Sequence, residues 1–177
     1  IMITAVAALV GWLVALLFDF RPENFLPLGL SPLVLMLLRI PASFCGVYGF
    51  SIMFNSSQKM AMTAGLIGAV ANTLRLEMVD LTSVPPAAAA FIAALVAGLI
   101  ASLVNRYNGY PRISLTVPSI VIMVPGLYIY RAVYNIGLNQ ISVGALWLTK
   151  AALIIVFLPM GLFVARALMD REWRHFD

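Results

Sequence analysis

The sequence predicts an all-α protein, a polytopic transmembrane helical bundle of about six spans in which the fifth span is broken at prolines. Composition is the first reason, because 63% of the 177 residues are hydrophobic and only 10% are charged, whereas soluble domains are about 45–50% apolar and about 25% charged. The second reason is that the apolar residues form runs of roughly 20, the length that crosses a bilayer as a helix. Helices satisfy their own backbone hydrogen bonds in lipid, and the sequence lacks the alternating pattern of a barrel.

The predicted spans follow one another with short polar or turn-prone connections. Their approximate bounds are 1–18, 33–54, 60–79, 85–104, 114–134 and 142–166. Because Ile1 is an unusual first residue, we expect the chain to be the C-terminal part of a longer polypeptide. Segment 1–20 is then a helix from a preceding domain or an extra N-terminal span, and 33–177 forms a membrane domain of about five spans.

The third and fourth spans each carry a stripe of small residues at four-residue spacing. The stripes are Ala61, Gly65, Ala69 and Thr73 in the third span, and Ala90, Ala94, Gly98 and Ser102 in the fourth. Small residues on one face let helix backbones approach closely. We therefore interpret both stripes as packing seams within the bundle.

The fifth span contains the residues that predict its interruption. Pro118 and Pro125 each remove a backbone donor and obstruct the preceding turn, and Gly126 adds conformational freedom after the second proline. A half-helix beginning near Pro125–Gly126 would offer amide donors to a carboxylate at membrane depth. Hydroxyl groups on both sides of the break extend this candidate site: Thr116, Ser119 and Tyr128. A proline kink that only shapes packing remains the alternative.

Basic residues within predicted spans are the second unusual feature of the chain. They are Arg39, Arg75, Arg131 and Lys150. A charge at membrane depth is costly, so a partner, water or a function is expected for each. If neighbouring spans are antiparallel, all four fall in the same half of the bilayer, where a hydrated, cation-lined cavity would attract carboxylates. For Arg75 and Arg131, which lie near helix ends, the alternative is a long side chain that merely reaches the interface.

Two acidic residues and one amide belong to the same region. Glu77 and Asp80 are three apart on one helix face, so they would repel each other unless cations from other helices pair with them. We predict a charge network that they share with the basic residues. Asn72 lies one turn before Arg75 and either binds a ligand or links two helices by a hydrogen bond.

The distribution of basic residues predicts the orientation. The end that holds the C-terminus carries Lys59, Arg106, Arg112, Arg166, Arg171 and Arg174. The positive-inside rule therefore predicts that both termini are cytoplasmic, in a multi-pass protein of the plasma membrane. No cofactor or metal is expected, because Cys45 and His175 are the single residues of their types. Dispersed basic residues argue against nucleic-acid binding, and no catalytic constellation supports an enzyme.

Several strings, taken together, resemble the C-terminal membrane domain of the threonine/serine exporter family. They are "FNSSQKMAMTAGLIGAVANTLRLEMVD" at 54–80, "PPAAAAFIAALVAGLIASLVNR" at 85–106, "PRISLTVPSIVIMVPGLYIYRAVYN" at 111–135, "ISVGALWLTKA" and the tail "REWRHFD". The specific part is the ordered combination of FN, LIG, the alanine-rich helix and P-x6-PG-x-Y. The resemblance covers roughly residues 33–177.

The resemblance implies secondary export of small amino acids such as threonine and serine, driven by the proton motive force. It also implies a companion membrane domain, either fused or encoded as a separate subunit. Some two-subunit relatives are assigned dicarboxylate export, so a dicarboxylate exporter subunit and a non-transporting assembly subunit stay open, as does a homo-oligomer. The expected partners are the lipid bilayer and a small carboxylate-bearing solute. Glu77 or Asp80 is the candidate carrier of the coupled proton, because burial favours the neutral form of a carboxyl group.

Overall fold

The computed structural model describes residues 29–170, together with residues 10, 11, 14, 17 and 18. Most of the predicted first span and the tail after residue 170 lie outside the described residues. Between residues 29 and 170 the chain forms helices and no strand, which confirms the all-α prediction for this part. The helices are α1 (Pro32–Met53), α2 (Gln58–Leu81), α3 (Pro86–Asn108), α4 (Arg112–Val121), α5 (Gly126–Gly137) and α6 (Ile141–Met169).

Four segments of the described chain are long and apolar enough to cross a membrane. They are Pro32–Met53, Pro86–Asn108, Arg112–Gly137 and Ile141–Met169. The predicted count of about six spans is therefore not confirmed. Helix α2 has 24 residues, which is long enough, but its second half carries Asn72, Arg75, Glu77 and Asp80, which lower its hydropathy.

The fifth predicted span consists of two helices joined by the turn 122–125. Helix α4 ends at Val121, and α5 begins at Gly126 with Pro125 at its N-cap position. The predicted interruption thus lies at Pro125–Gly126. At Pro118 the prediction of a break is wrong, because this proline lies inside α4. A proline within a helix removes one backbone hydrogen bond, and the helix continues when the bonds around it are kept.

Small residues make the helix contacts of the core. All eight residues of the two predicted stripes are buried, which confirms them as packing seams. The stripe of α2 faces α1, since a Cβ atom at Gly65 would lie 2.8 Å from the Phe44 ring. The stripe of α3 faces α6, where a Cβ atom at Gly161 would lie 2.4 Å from the carbonyl oxygen of Phe91. Helix α2, the most polar of the long helices, contacts α1, α3 and α4, so its polar residues lie within the bundle.

Replacing Gly161 by alanine tests the closest of these contacts. The added methyl group would meet the backbone of α3, which cannot move aside as a side chain can, so we expect G161A to lower the free energy of unfolding by about 1–3 kcal/mol. The measurement is thermal or denaturant unfolding of the protein purified in detergent. The matched control is G49A, because a Cβ atom at Gly49 meets nothing within 4 Å. Equal stability of the two variants would contradict the described seam.

Candidate functional site

One arginine of α1 pairs with both acidic residues of α2. Arg39 Nη1 donates to Glu77 Oε1 at 2.7 Å, and Arg39 Nη2 donates to Asp80 Oδ2. The two carboxylates lie on adjacent turns near the end of α2, and α1 runs beside that helix. The side chains of Arg39 and Glu77 are 20% and 15% exposed, while that of Asp80 is 49% exposed. The predicted charge network therefore includes Arg39, which neutralises the repulsion between the two acidic groups.

The interruption between α4 and α5 is held by a second arginine. Arg75 Nη1 donates a hydrogen bond of 3.1 Å to the carbonyl oxygen of Met123. Met123 lies in the turn 122–125 and is completely buried. A carbonyl group released from a helix at this depth needs a donor from protein or water. Arg75 supplies that donor, so its side chain is directed at the break and does not simply extend towards the interface.

Asn72 lies one turn before Arg75 and links two helices. Its Nδ2 atom donates to Ser43 Oγ of α1 at 2.9 Å, and only 5% of the residue is exposed. This hydrogen bond is the helix-linking role, one of the two alternatives that the sequence analysis gave for Asn72. The amide has a second polar atom, however, and Asn72 Oδ1 is buried with no hydrogen-bond partner among the described residues. Arg75 Nε and Thr73 Oγ1 are likewise buried with no hydrogen-bond partner among the described residues. Unsatisfied buried polar atoms are rare in proteins, so these atoms call for an explanation, which a bound water or polar ligand would supply.

Beyond the break, aromatic and basic residues of α5 and α6 meet around Trp147. The Arg131 guanidinium carbon lies 4.7 Å from the centroid of the indole ring, and Lys150 Nζ lies 4.9 Å from it. Tyr128 packs edge-on against the same ring at a centroid distance of 5.6 Å. Cation–π contacts hold both charges by electrostatic attraction to the ring. Lys150 makes no ion pair with any carboxylate among the described residues.

The structure brings three predicted site residues, Tyr128, Arg131 and Lys150, together around Trp147, an arrangement that we call the array around Trp147. Arg75 contacts the turn at Met123, and beyond that turn Tyr128 packs on Trp147. The sequence analysis did not include Trp147 among the candidate site residues, so its role in the array was missed. The signal was present, because Trp147 lies three residues before Lys150 and therefore on the same helix face.

The two hydroxyl residues of α4 are placed differently from the array. Ser119 is completely buried, and its hydroxyl group is within hydrogen-bond distance of the carbonyl oxygens of Leu115 (2.6 Å) and Ala64 (3.1 Å). Thr116 donates to the Arg112 carbonyl oxygen at 3.1 Å. It also lines a cavity at the other end of α4. Neither hydroxyl group is directed at the break.

The first turn of α5 begins directly at the interruption. The N–H groups in the first turn of an α-helix have no acceptor within that helix. Gly126 N donates to Val124 O at 2.8 Å, while Leu127 and Tyr128 provide the next two amides. Gly126 is exposed and Pro125 is buried, so this turn is accessible from one side. No group of His, Cys, Asp and Glu residues that could hold a metal ion occurs in the described part of the chain.

These observations define a class of protein. An apolar helical bundle that contains an interrupted helix, with partly buried cations and open amides beside the break, is typical of secondary transporters. The family described as Threonine/Serine exporter, ThrE, matches residues 39–168 of the chain. The chain therefore belongs to the threonine/serine exporter family, a family of membrane transporters and not of enzymes. No curated protein and no solved structure matches the chain.

The ion pairs of Arg39 can be tested by removing the cation alone and then the anions as well. R39Q leaves Glu77 and Asp80 three residues apart without a partner, so we expect it to lower the free energy of unfolding by about 1–3 kcal/mol. The expected loss in the free energy of unfolding is smaller than for a fully buried ion pair, because Asp80 is half-exposed. Adding E77Q and D80N to R39Q should restore most of the loss, since no unpaired charge then remains.

Unfolding of the purified protein in detergent measures these differences, with R106Q as a control because Arg106 is exposed on the last turn of α3. If the triple variant were no more stable than R39Q, repulsion between the carboxylates would not be the cause.

Proposed function

We propose that this chain forms the membrane domain through which a small hydroxy amino acid, such as threonine or serine, is exported in exchange for protons. The observation that carries the proposal is the broken span, where the open first turn of α5 lies beside the cations around Trp147. Membership of the threonine/serine exporter family supports the same class of substrate.

The substrate carboxylate would bind at the first turn of α5, between its amides and the Lys150 ammonium group. A cation–π contact is worth about 0.5–2 kcal/mol, whereas a charge-assisted hydrogen bond to a carboxylate is stronger and directional. Lys150 would therefore exchange the indole ring for the substrate. Arg131 shares the ring with Lys150 and adds positive potential at the same place. The substrate ammonium or hydroxyl group would serve as the donor that Asn72 Oδ1 lacks.

Proton coupling would take place at Glu77 and Asp80. Both carboxylates accept hydrogen bonds from Arg39. Protonation of either one would remove half of the charge that holds this arginine and weaken the link between α1 and α2. A carboxyl group that changes its partner when it takes up a proton is a suitable element for coupling proton entry to helix movement.

The arrangement in the membrane is part of the proposal. Helix α2 would span the bilayer in addition to the four apolar segments, and a further span would precede Pro32. Both termini would be cytoplasmic, in the plasma membrane, and a companion membrane domain or subunit would complete the transport path. Export of dicarboxylates is the second candidate function, because two cations on one indole ring favour a solute with more than one negative charge.

An efflux experiment with the full-length polypeptide that contains this chain tests the proposal. Proteoliposomes loaded with labelled serine, threonine or succinate are diluted into buffer with and without an imposed pH gradient, and the initial rate of efflux is measured. We expect serine and threonine efflux to depend on the gradient and to fall about tenfold or more in K150Q, because a charge-assisted bond to the carboxylate is lost.

K59Q is the matched control. Lys59 is exposed at the N-terminal end of α2, whereas Arg75, Glu77 and Asp80 lie near the C-terminal end, so efflux should tolerate this change. Succinate efflux without serine efflux would favour the dicarboxylate exporter. Absence of efflux for every solute, in the presence of the companion domain, would favour a non-transporting assembly subunit. Unchanged efflux in K150Q would contradict the role given to Lys150.

A further inference from the structure

A cavity of about 620 Å³ opens at the opposite end of α4 from the interruption. It lies between the end of α3, the start of α4 and the last turns of α6, and its volume is within the range of small-molecule sites. Arg112, at the first position of α4, lines the cavity, while Val121 ends α4 at the interruption. Nine residues of α-helix separate the two positions, which corresponds to roughly 14 Å. The cavity is therefore distinct from the array around Trp147.

The polar wall of this cavity carries two arginines and one carboxylate. Arg112 Nη1 lies 3.1 Å from Asp170 Oδ2, and Arg166 Nε lies 3.4 Å from the same oxygen atom. Both ion pairs thus converge on one of the two carboxylate oxygens. A guanidinium group has five N–H donors, so the single bond from Arg112 Nη1 to Asp170 leaves other donors of Arg112 for a further acceptor. Arg166 adds its positive charge to the same wall. The wall as a whole offers two positive charges and one negative charge to a bound molecule.

The remaining lining suits a small molecule with a polar side chain. Ile113, Pro159 and Leu162 form the apolar part of the surface. Thr116 lines the cavity, and because its hydroxyl hydrogen is donated to the Arg112 carbonyl oxygen, the hydroxyl oxygen can still accept a hydrogen bond. The cavity therefore combines sites for an anion, for a cation and for a hydrogen-bond donor.

We propose that this cavity is a second binding site for a zwitterionic hydroxy amino acid, at which the transporter first takes up its substrate. The substrate carboxylate pairs with Arg112 and Arg166, its ammonium group pairs with Asp170, and its hydroxyl group donates to Thr116. This inference rests on the proposed function for the identity of the substrate. The side that we predict to be cytoplasmic is the side from which an exporter must collect its substrate, and the basic residues of this end define that side.

The presence of Asp170 distinguishes an amino acid from a phosphate group. Two arginines alone would suit the phosphate of a lipid headgroup equally well. A carboxylate that contacts both arginines repels a phosphate but attracts an ammonium group. On entry of a zwitterion, the substrate carboxylate replaces part of the pairing that Asp170 gives to the arginines, and the substrate ammonium group compensates Asp170. Every charge keeps a partner, so the exchange is inexpensive.

Binding of three small molecules to the purified full-length protein tests the site. L-Serine carries both charges, 3-hydroxypropionate lacks the ammonium group, and ethanolamine lacks the carboxylate. All measurements use the K150Q background, which impairs the site at the interruption. We expect D170N to weaken serine binding about tenfold and to leave 3-hydroxypropionate binding unchanged or tighter, because only the partner of the ammonium group is lost. R112Q should weaken the binding of both serine and 3-hydroxypropionate, which carry a carboxylate, and leave the weak binding of ethanolamine unchanged. R106Q, an exposed arginine of α3 that does not line the cavity, should change none of them.

Several outcomes would overturn the proposal. One is an equal loss of serine and 3-hydroxypropionate binding in D170N, which would make Asp170 only a positioning residue for Arg112. Another is displacement of 3-hydroxypropionate by inorganic phosphate at lower concentration than by serine, which would indicate a lipid headgroup site. If D170N does not fold, R166Q takes its place, and it should weaken serine and 3-hydroxypropionate while sparing ethanolamine. Because binding is measured without transport, its result is independent of the efflux experiment, and failure of either can be recognised separately.

Discussion

The rest of the structure depends on the hydrogen bond from Arg75 to the carbonyl oxygen of Met123. A helix that breaks inside an apolar bundle releases backbone groups that lipid cannot satisfy. In this chain the released carbonyl receives a guanidinium donor from the neighbouring helix, so the break and the buried charge stabilise each other. Arg75 needs an acceptor at this depth, and Met123 needs a donor. The first turn of α5 begins directly after the turn that contains Met123, and its Tyr128 packs on Trp147.

Such a pairing requires that a polar helix lie inside the bundle, and the small-residue stripes make this geometry accessible. Helix α2 carries the amide and half of the charges of the site, yet it contacts three other helices. Alanine and glycine along its face let α1 approach until Arg39 can reach two carboxylates and Ser43 can accept from Asn72. Close packing therefore does more than fill space, because it sets the distances over which the polar groups interact.

The features that the sequence predicted correctly depend on residues that are close together in the chain. The stripes depend on spacing within one helix, and the break at Pro125–Gly126 depends on adjacent residues, so both were found. That Glu77 and Asp80 need a cation was also predicted, but the choice of Arg39 depends on which helix is the neighbour of α2. Pro118 could not be distinguished from Pro125, because the cost of each proline depends on bonds formed by residues around it. Trp147 was missed although its spacing from Lys150 was visible in the sequence, because its contacts with Tyr128 and Arg131 join two different helices.

At both ends of the broken span, the basic residues contact partners that a ligand could replace. At the Trp147 end the cations rest on an aromatic ring, and at the Asp170 end they rest on one carboxylate oxygen. At the Trp147 end a carboxylate ligand would replace an uncharged ring. At the Asp170 end a zwitterionic ligand would replace part of an ion pair, and its ammonium group would compensate Asp170. A site built from strong, saturated ion pairs would hold its ligand poorly, and a site with unpaired charges would be too costly to bury. Replaceable pairing at each end avoids both difficulties, and it is the property that a protein must have if the same solute is to bind on one side of a membrane and leave on the other.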